Sequence, residues 1–110
     1  MANTFKNAAL ANVSNSSYQT LYTAPANTQT VILGLAIANK TTNAVTVQVQ
    51  FRDSSASADF QLLENVTIPA NTTLETLAGQ KYILEAADIL KVKAGTGSAI
   101  DVVLGFMEKA

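Results

Sequence analysis

The chain is predicted to fold as one all-β antiparallel β-sandwich with little helix, a Greek key of immunoglobulin-like or jelly-roll-like type, and three observations predict it. In residues 45–52 the side chains alternate without a break: Val45, Val47, Val49 and Phe51 fall on one face, Thr46, Gln48, Gln50 and Arg52 on the other, the period of a half-buried strand. Turn-forming clusters such as Ala24-Pro25, Ile68-Pro69-Ala70-Asn71 and Gly95-Thr96-Gly97-Ser98 cut the chain into about seven or eight short strands. Finally, 110 residues with 48% hydrophobic and 14% charged content are enough for one core and too few for two.

Residues 1–17 are rich in Asn, Ser and Ala, with Phe5, Leu10 and Val13 as isolated apolar anchors. They read as an N-terminal arm or edge strand, set against a sandwich domain of residues 18–110. Residues 18–23 suit a strand that stops at Ala24-Pro25, because proline removes a ladder donor and biases its predecessor to extended geometry. Residues 28–53 read as a long central β-hairpin around a polar hinge of Asn39, Lys40, Thr41, Thr42 and Asn43. In its first strand, residues 31–38, both faces are apolar. That predicts a strand covered on two sides, or one whose Gly34, Ala36 and Ala38 admit close neighbours.

Residues 53–59 form a polar loop, and residues 60–68 return to strand with the alternation slipping by one near Leu62 and Leu63, which predicts a bulge. A short strand over 72–77, a turn at Ala78-Gly79-Gln80 and another strand over 82–84 follow. Residues 85–88 read as a single helical turn or a tight loop before a strand over 89–94. Gly95-Thr96-Gly97-Ser98 has hairpin-turn chemistry, with glycine supplying positive φ. Ile100, Val102, Leu104 and Phe106 then give the last strand its inward face. Residues 23–28 and 67–72 share the pattern T-x-P-A-N-T, read as one turn solution used twice.

Several function classes fall away on composition. A net charge of -1, a pI near 5.1 and seven scattered basic residues provide no field for nucleic acid or an anionic membrane. The chain has neither cysteine nor histidine, which removes disulfides, thiolate metal sites and the usual imidazole base. Asp53, Ser54, Ser55 and Asp59 lack the ligand spacing of a calcium loop. Residues 93–100, KAGTGSAI, lack the ending and the helix of a phosphate loop. The remaining carboxylates, Glu64, Glu75, Glu85, Asp88, Asp101 and Glu108, are spread one per element. The expectation is a protein without enzymatic activity, cofactor or metal. The N-terminal residues hold no apolar run long enough for a signal-peptide core, and no segment approaches a membrane span of roughly 18 residues. Synthesis and folding in a cytoplasm are expected.

Candidate contact residues remain. Phe5, Leu10 and Val13 would order on a partner. Tyr18, Tyr22, Phe60 and Tyr82 would serve as an aromatic platform for a glycan or a protein, with core filling as the rival role. Thr46, Gln48, Gln50 and Arg52 would form a flat, weakly charged face.

Three segments carry a resemblance: LYTAPANTQTVILGLAIANKTTNAVTVQV, VTIPANTTLETLAGQKYILEAADILKVKA and GSAIDVVLGFMEK. Over roughly residues 18–109 they resemble the small β-sandwich virion proteins of tailed bacteriophages, which include capsid decoration or cement proteins and proteins of the neck and tail. The marks are the T-A-P-A turn, the I-P-A-N-T turn before a strand, the segment around residues 85–92 and the closing Asp-Val-Val strand ending in Glu-Lys. The resemblance implies a structural protein of the virion, bound to the major capsid protein or to other virion proteins as a dimer or trimer. It transfers no catalytic residue. A neck, tail or fibre component and a carbohydrate-binding module using Tyr18, Tyr22 or Tyr82 are the rival classes.

Overall fold

The structure, a computed structural model, describes residues 3–76 and 82–109. Its strands are β1 (Asn3–Leu10), β2 (Gln19–Thr23), β3 (Gln29–Asn39), β4 (Val45–Asp53), β5 (Ala58–Ile68), β6 (Thr73–Thr76), β7 (Tyr82–Leu84), β8 (Ile89–Ala94) and β9 (Ile100–Lys109). No helix occurs among the described residues. The turn expected at residues 78–80 lies outside them.

Two antiparallel sheets stack as a sandwich, one in the order β1-β9-β3-β6 with β7 also on β3, the other in the order β2-β8-β4-β5. Because β6 pairs with Leu35–Ala38 and β7 with Thr30–Ile32 of the same strand, the two short strands share one position. The pairing is nested: β1 with β9, β2 with β8, β3 with β6 and β7, β4 with β5. Such a nest is one long antiparallel ribbon, rolled so that β3 also meets β9 and β4 meets β8. That connectivity selects the jelly roll over the immunoglobulin-like order.

Residues 28–53 are therefore not a hairpin. β3 and β4 lie in opposite sheets, and residues 40–44 carry the chain across the sandwich. Five residues reach about 16 Å and the sheets stand about 10 Å apart, so the linker spans the gap. Buried Asn39 holds the crossing: its Nδ2 donates to Ile68 O at 3.0 Å and Asn43 O at 2.9 Å, and its Oδ1 accepts from Thr41 N at 2.9 Å.

Residues 95–99 likewise cross between sheets, from β8 to β9. Glycine does not supply positive φ there; Ser98 does, at 59°. Gly95 is required by proximity, because a Cβ would run into Thr46 Oγ1.

The hairpin that does form joins β4 to β5, where Asp53 Oδ1 accepts from Ser55 N (3.1 Å) and Ala56 N (3.3 Å). The expected bulge is present, with Val49 opposite Leu63 and Gln50 opposite Gln61, so that Leu62 is the extra residue. A second slip lies between Val47 and Val49, beside Asn65 at φ 48°. Residues 85–88 are a tight turn with Ala87 at φ 69° and Asp88 N donating to Glu85 O at 3.0 Å.

The repeated turn is one solution used twice. Asn27 and Asn71 are both left-handed (57° and 53°), and Thr28 and Thr72 hydroxyls both donate to the alanine carbonyl two residues back. Each copy leads from the second sheet into the first.

Between the sheets, Ile32, Leu35 and Ile37 of β3 and Val102, Leu104 and Phe106 of β9 meet Val45, Val47 and Val49 of β4 and Leu90 and Val92 of β8, all buried. The alternation read in residues 45–52 thus turns its valines inward. Burying such a side chain contributes about 1.5 to 3 kcal/mol.

Candidate interaction surface

The outer face of the β1-β9-β3-β6 sheet is built from the side chains that alternation turns away from the core. On β3 these are Gln29, Val31, Leu33, Ala36 and Ala38; on β9, Asp101, Val103, Gly105, Met107 and Lys109, so that apolar side chains occupy the middle of the face and polar or charged ones its ends. Register then aligns a single apolar row across four strands, with Phe5 opposite Met107, Met107 opposite Val31 and Val31 opposite Ile83. Phe5 is 72% exposed, Ile83 57% and Val103 49%. Large apolar side chains scattered singly on a surface are ordinary, but a contiguous set on one sheet face marks a contact site. Residues 31–38 read either as covered on two sides or as admitting close neighbours at Gly34, Ala36 and Ala38; the described residues cover one side, and those small residues face the other.

A bulge shapes the middle of this face. Ile32 pairs with Phe106 and Gly34 with Gly105, so Leu33 is extra on β3 and stands out beside the glycine pair. Gly34 and Gly105 leave an open groove of about 350 Å³ flanked by Leu33, Ala36 and Val103. A Cβ at either glycine would meet nothing within 4 Å, and neither has positive φ. Nothing among the described residues demands glycine at these positions, although each costs about 0.5 to 1 kcal/mol relative to alanine in a strand.

The opposite face, on the β2-β8-β4-β5 sheet, is polar. Here Thr46, Gln48, Gln50 and Arg52 line β4, as their spacing predicts. Gln48 Nε2 donates to Glu64 Oε1, Gln50 Nε2 to Gln61 Oε1 at 3.1 Å, and Arg52 Nη1 to Asp59 Oδ2 at 3.3 Å. Lys91 Nζ lies 3.1 Å from Asp59 Oδ1, Gln61 Nε2 donates to the Tyr18 hydroxyl at 2.8 Å, and Lys93 Nζ sits 5.9 Å above the Tyr18 ring. Exposed pairs of this kind contribute only about 0 to 1 kcal/mol each. They hold the face flat and leave it wettable.

The remaining candidates scatter. Leu10 packs against the core and Val13 is fully buried in it, its N–H donating to Ile100 O at 2.9 Å; both are ordered by this chain itself, and of the three N-terminal anchors only Phe5 is presented outward. Phe60, exposed on edge strand β5, stacks on Phe51 with centroids 6.3 Å apart. Tyr22 lies between the sheets, 4.2 Å from Phe106. Tyr82 sits in β7 opposite Ile32, and its side chain is outside the described residues. Tyr18, Tyr22 and Phe60 therefore share no platform. Leu33, Ile83, Val103 and Gly105 were not singled out from the sequence, whereas Gly34 was, as a small residue admitting close neighbours; Val102-Val103 and residues 31–38 carried the signal of apolar residues on both faces.

Among the described residues no three Asp or Glu side chains converge as metal ligands. One network links the sheets: the Tyr22 hydroxyl donates to Glu108 Oε2 at 2.7 Å and contacts Thr30 Oγ1 at 2.9 Å, while Lys6 Nζ pairs with Glu108 Oε1 at 2.9 Å. Burial, then the bond to Glu108, pushes the Tyr22 phenol up to about 12. The Tyr22 and Lys6 bonds hold the Glu108 carboxyl below its usual 4.5.

A carboxyl depressed in the folded state is stabilising above its unfolded value, and that contribution disappears as pH falls through the folded value. A raised phenol loses its contribution as pH climbs above about 10. The urea midpoint is accordingly expected to be flat from about pH 5 to 10 and to fall on both sides. Glu108→Gln should flatten the acid limb, and Tyr22→Phe should remove most of the alkaline one. An unchanged acid limb in Glu108→Gln would assign it to Asp53, Asp59 and Asp101, whose carboxyls are also lowered by hydrogen bonds and neighbouring lysines.

No known family profile matches the chain, and neither does any curated protein sequence. Solved structures do match in fold. A chain from the disulfide-linked pili that form Bacillus endospore appendages superposes with a TM-score of 0.53 and 8% identity, over 96% of this chain and 85% of that one. A chain from infectious bursal disease virus, Gx strain, gives 0.50 and 8% over 98% of this chain, which spans a third (33%) of its length. The Clostridium thermocellum xylanase 10B modules CBM22-1 and GH10, complexed with xylohexaose, give only 0.40 at 9% identity over 93% of this chain and 25% of that one. The first two share the fold.

Proposed function

We propose that this protein is a non-enzymatic structural subunit of a tailed-phage virion, a capsid decoration or cement protein bound to the outer surface of the head. The observation that carries the reading is the division of the sandwich into one apolar face that the described residues leave uncovered and one polar, self-bonded face. Such a domain offers two contact faces of different chemistry, one apolar and one polar. Support also comes from the resemblance of residues 18–109 to small virion sandwiches, and from a fold shared with subunits of a pilus and of a virus.

Mechanically, a protein that binds the assembled shell and not its separated subunits stabilises the shell by mass action, by about 2.7 kcal/mol per site at a hundredfold excess over Kd. The contact with the head falls on the polar face around Gln48 and Gln50. Particles lacking the protein are expected to release their contents at lower temperature and pressure than complete ones, and adding the purified protein should restore the difference. Equal resistance of the two preparations would remove the cement role. Antibody labelling confined to the neck or tail would move the protein there.

A further inference from the structure

We infer that the outer face of the β1-β9-β3-β6 sheet is a homodimer interface, two copies packing these faces together about a twofold axis so that Leu33 and Val103 of each enter the glycine groove of the other. Size comes first. The strands of this sheet, at about 4.8 Å spacing and about 3.3 Å rise per residue, cover a footprint of roughly 570 Å² per copy, or about 1,100 Å² for two. That clears the roughly 1,000 Å² expected of a specific interface. Its shape is complementary to itself. The bulge sets Leu33 out as a knob beside the hole left by Gly34 and Gly105, and a twofold operation brings each knob over the other copy's hole.

The glycines are the second argument. With ordinary φ and open space among the described residues where a Cβ would stand, they have an evident role between two copies, where they let a neighbour's side chain reach the backbone. Charge is the third. Glu75 is the charged residue lining the groove, and the central row of the face is uncharged. Neither an acidic nor a basic partner finds a match, whereas a second apolar sheet of the same shape does, and this chain supplies one.

This inference extends the structural reading above to how the subunit is presented, and it stands without a particle. Sedimentation equilibrium of the purified full chain over about 1 to 100 µM is expected to show a monomer–dimer system. Val103→Lys, on the exposed side of β9, should weaken the dimer at least a hundredfold. Gly105→Val, which fills the groove, should weaken it at least tenfold while keeping the wild-type circular dichroism spectrum and a cooperative melt. A wild-type chain that is monomeric throughout, one that forms trimers, or a dimer that survives both substitutions would overturn the proposal. If the dimer forms and particles lacking the protein remain fully heat-resistant, the cement role fails and the interface stands.

Discussion

Asn39→Asp is expected to lower the unfolding free energy at pH 7 by about 3 to 5 kcal/mol, the cost of an uncompensated buried charge. Asparagine is the required chemistry at this position. Its Nδ2 faces three carbonyl oxygens, Asn43 O at 2.9 Å, Ile68 O at 3.0 Å and Pro69 O at 3.2 Å, and its Oδ1 accepts from Thr41 N at 2.9 Å and Thr41 Oγ1 at 2.8 Å. Aspartate keeps the second set and turns an anion toward the first. Asn39→Ala loses both sets but introduces no charge, and should cost about 2 to 3 kcal/mol. The order of stability at pH 7 is therefore wild type, then alanine, then aspartate. Because burial raises the new carboxyl in the folded state, the folded variant binds the extra proton, and the aspartate variant should recover as pH falls toward 4.5. Urea melts at the two pH values decide it: an aspartate variant as stable as the alanine one at pH 7 would show that this crossing tolerates a charge.

At the other end of the sandwich, Asp88→Ala should cost about 2 to 4 kcal/mol, through two part-buried N–H groups left without a charged acceptor. Asp88 is buried, and its carboxylate joins two loops, accepting from Ser54 N at 3.0 Å and Glu85 N at 2.9 Å. Its own carbonyl takes Ala24 N at 2.9 Å, and Ala87 N returns to Ala24 O at 2.9 Å, bringing in the β2–β3 crossing. Three connections thus meet here, two joined by the Asp88 carboxylate and the third by backbone bonds. For a domain of this size the melting temperature should fall by roughly 10 to 20 °C. Ser55→Ala serves as the control, since it removes only an exposed bond to the Asp53 turn and should leave the melting temperature unchanged. A fall of only a degree or two in Asp88→Ala would mean that water replaces the carboxylate there.

Both clamps were present in the sequence as ordinary polar residues, Asn39 as part of a hinge and Asp88 as part of a tight loop. Their weight comes from partners about 30 residues away in the chain, and no local pattern encodes that distance. The contact candidates divide in the same way. Thr46, Gln48, Gln50 and Arg52 share a face because period two places them there. Leu10 and Val13 looked like free anchors until the pairing of β1 with β9 set Leu10 against the core and the bond from Val13 N to Ile100 O drew Val13 into it.

What the sequence by itself determined is local. Strand positions, the inward valines of residues 45–52, the bulge at Leu62 and the two T-x-P-A-N-T turns follow from side-chain alternation and turn chemistry, which act over a few residues. Only the tertiary structure decided which strands pair. A linker of five residues closes a hairpin or crosses to the facing sheet with equal ease, and the choice in residues 40–44 rests on what Asn39 meets on the far side. The same holds for the surface. Apolar residues on both faces of residues 31–38 were legible from the start, but which face is buried by this chain and which is left for another depends on where the second sheet stacks.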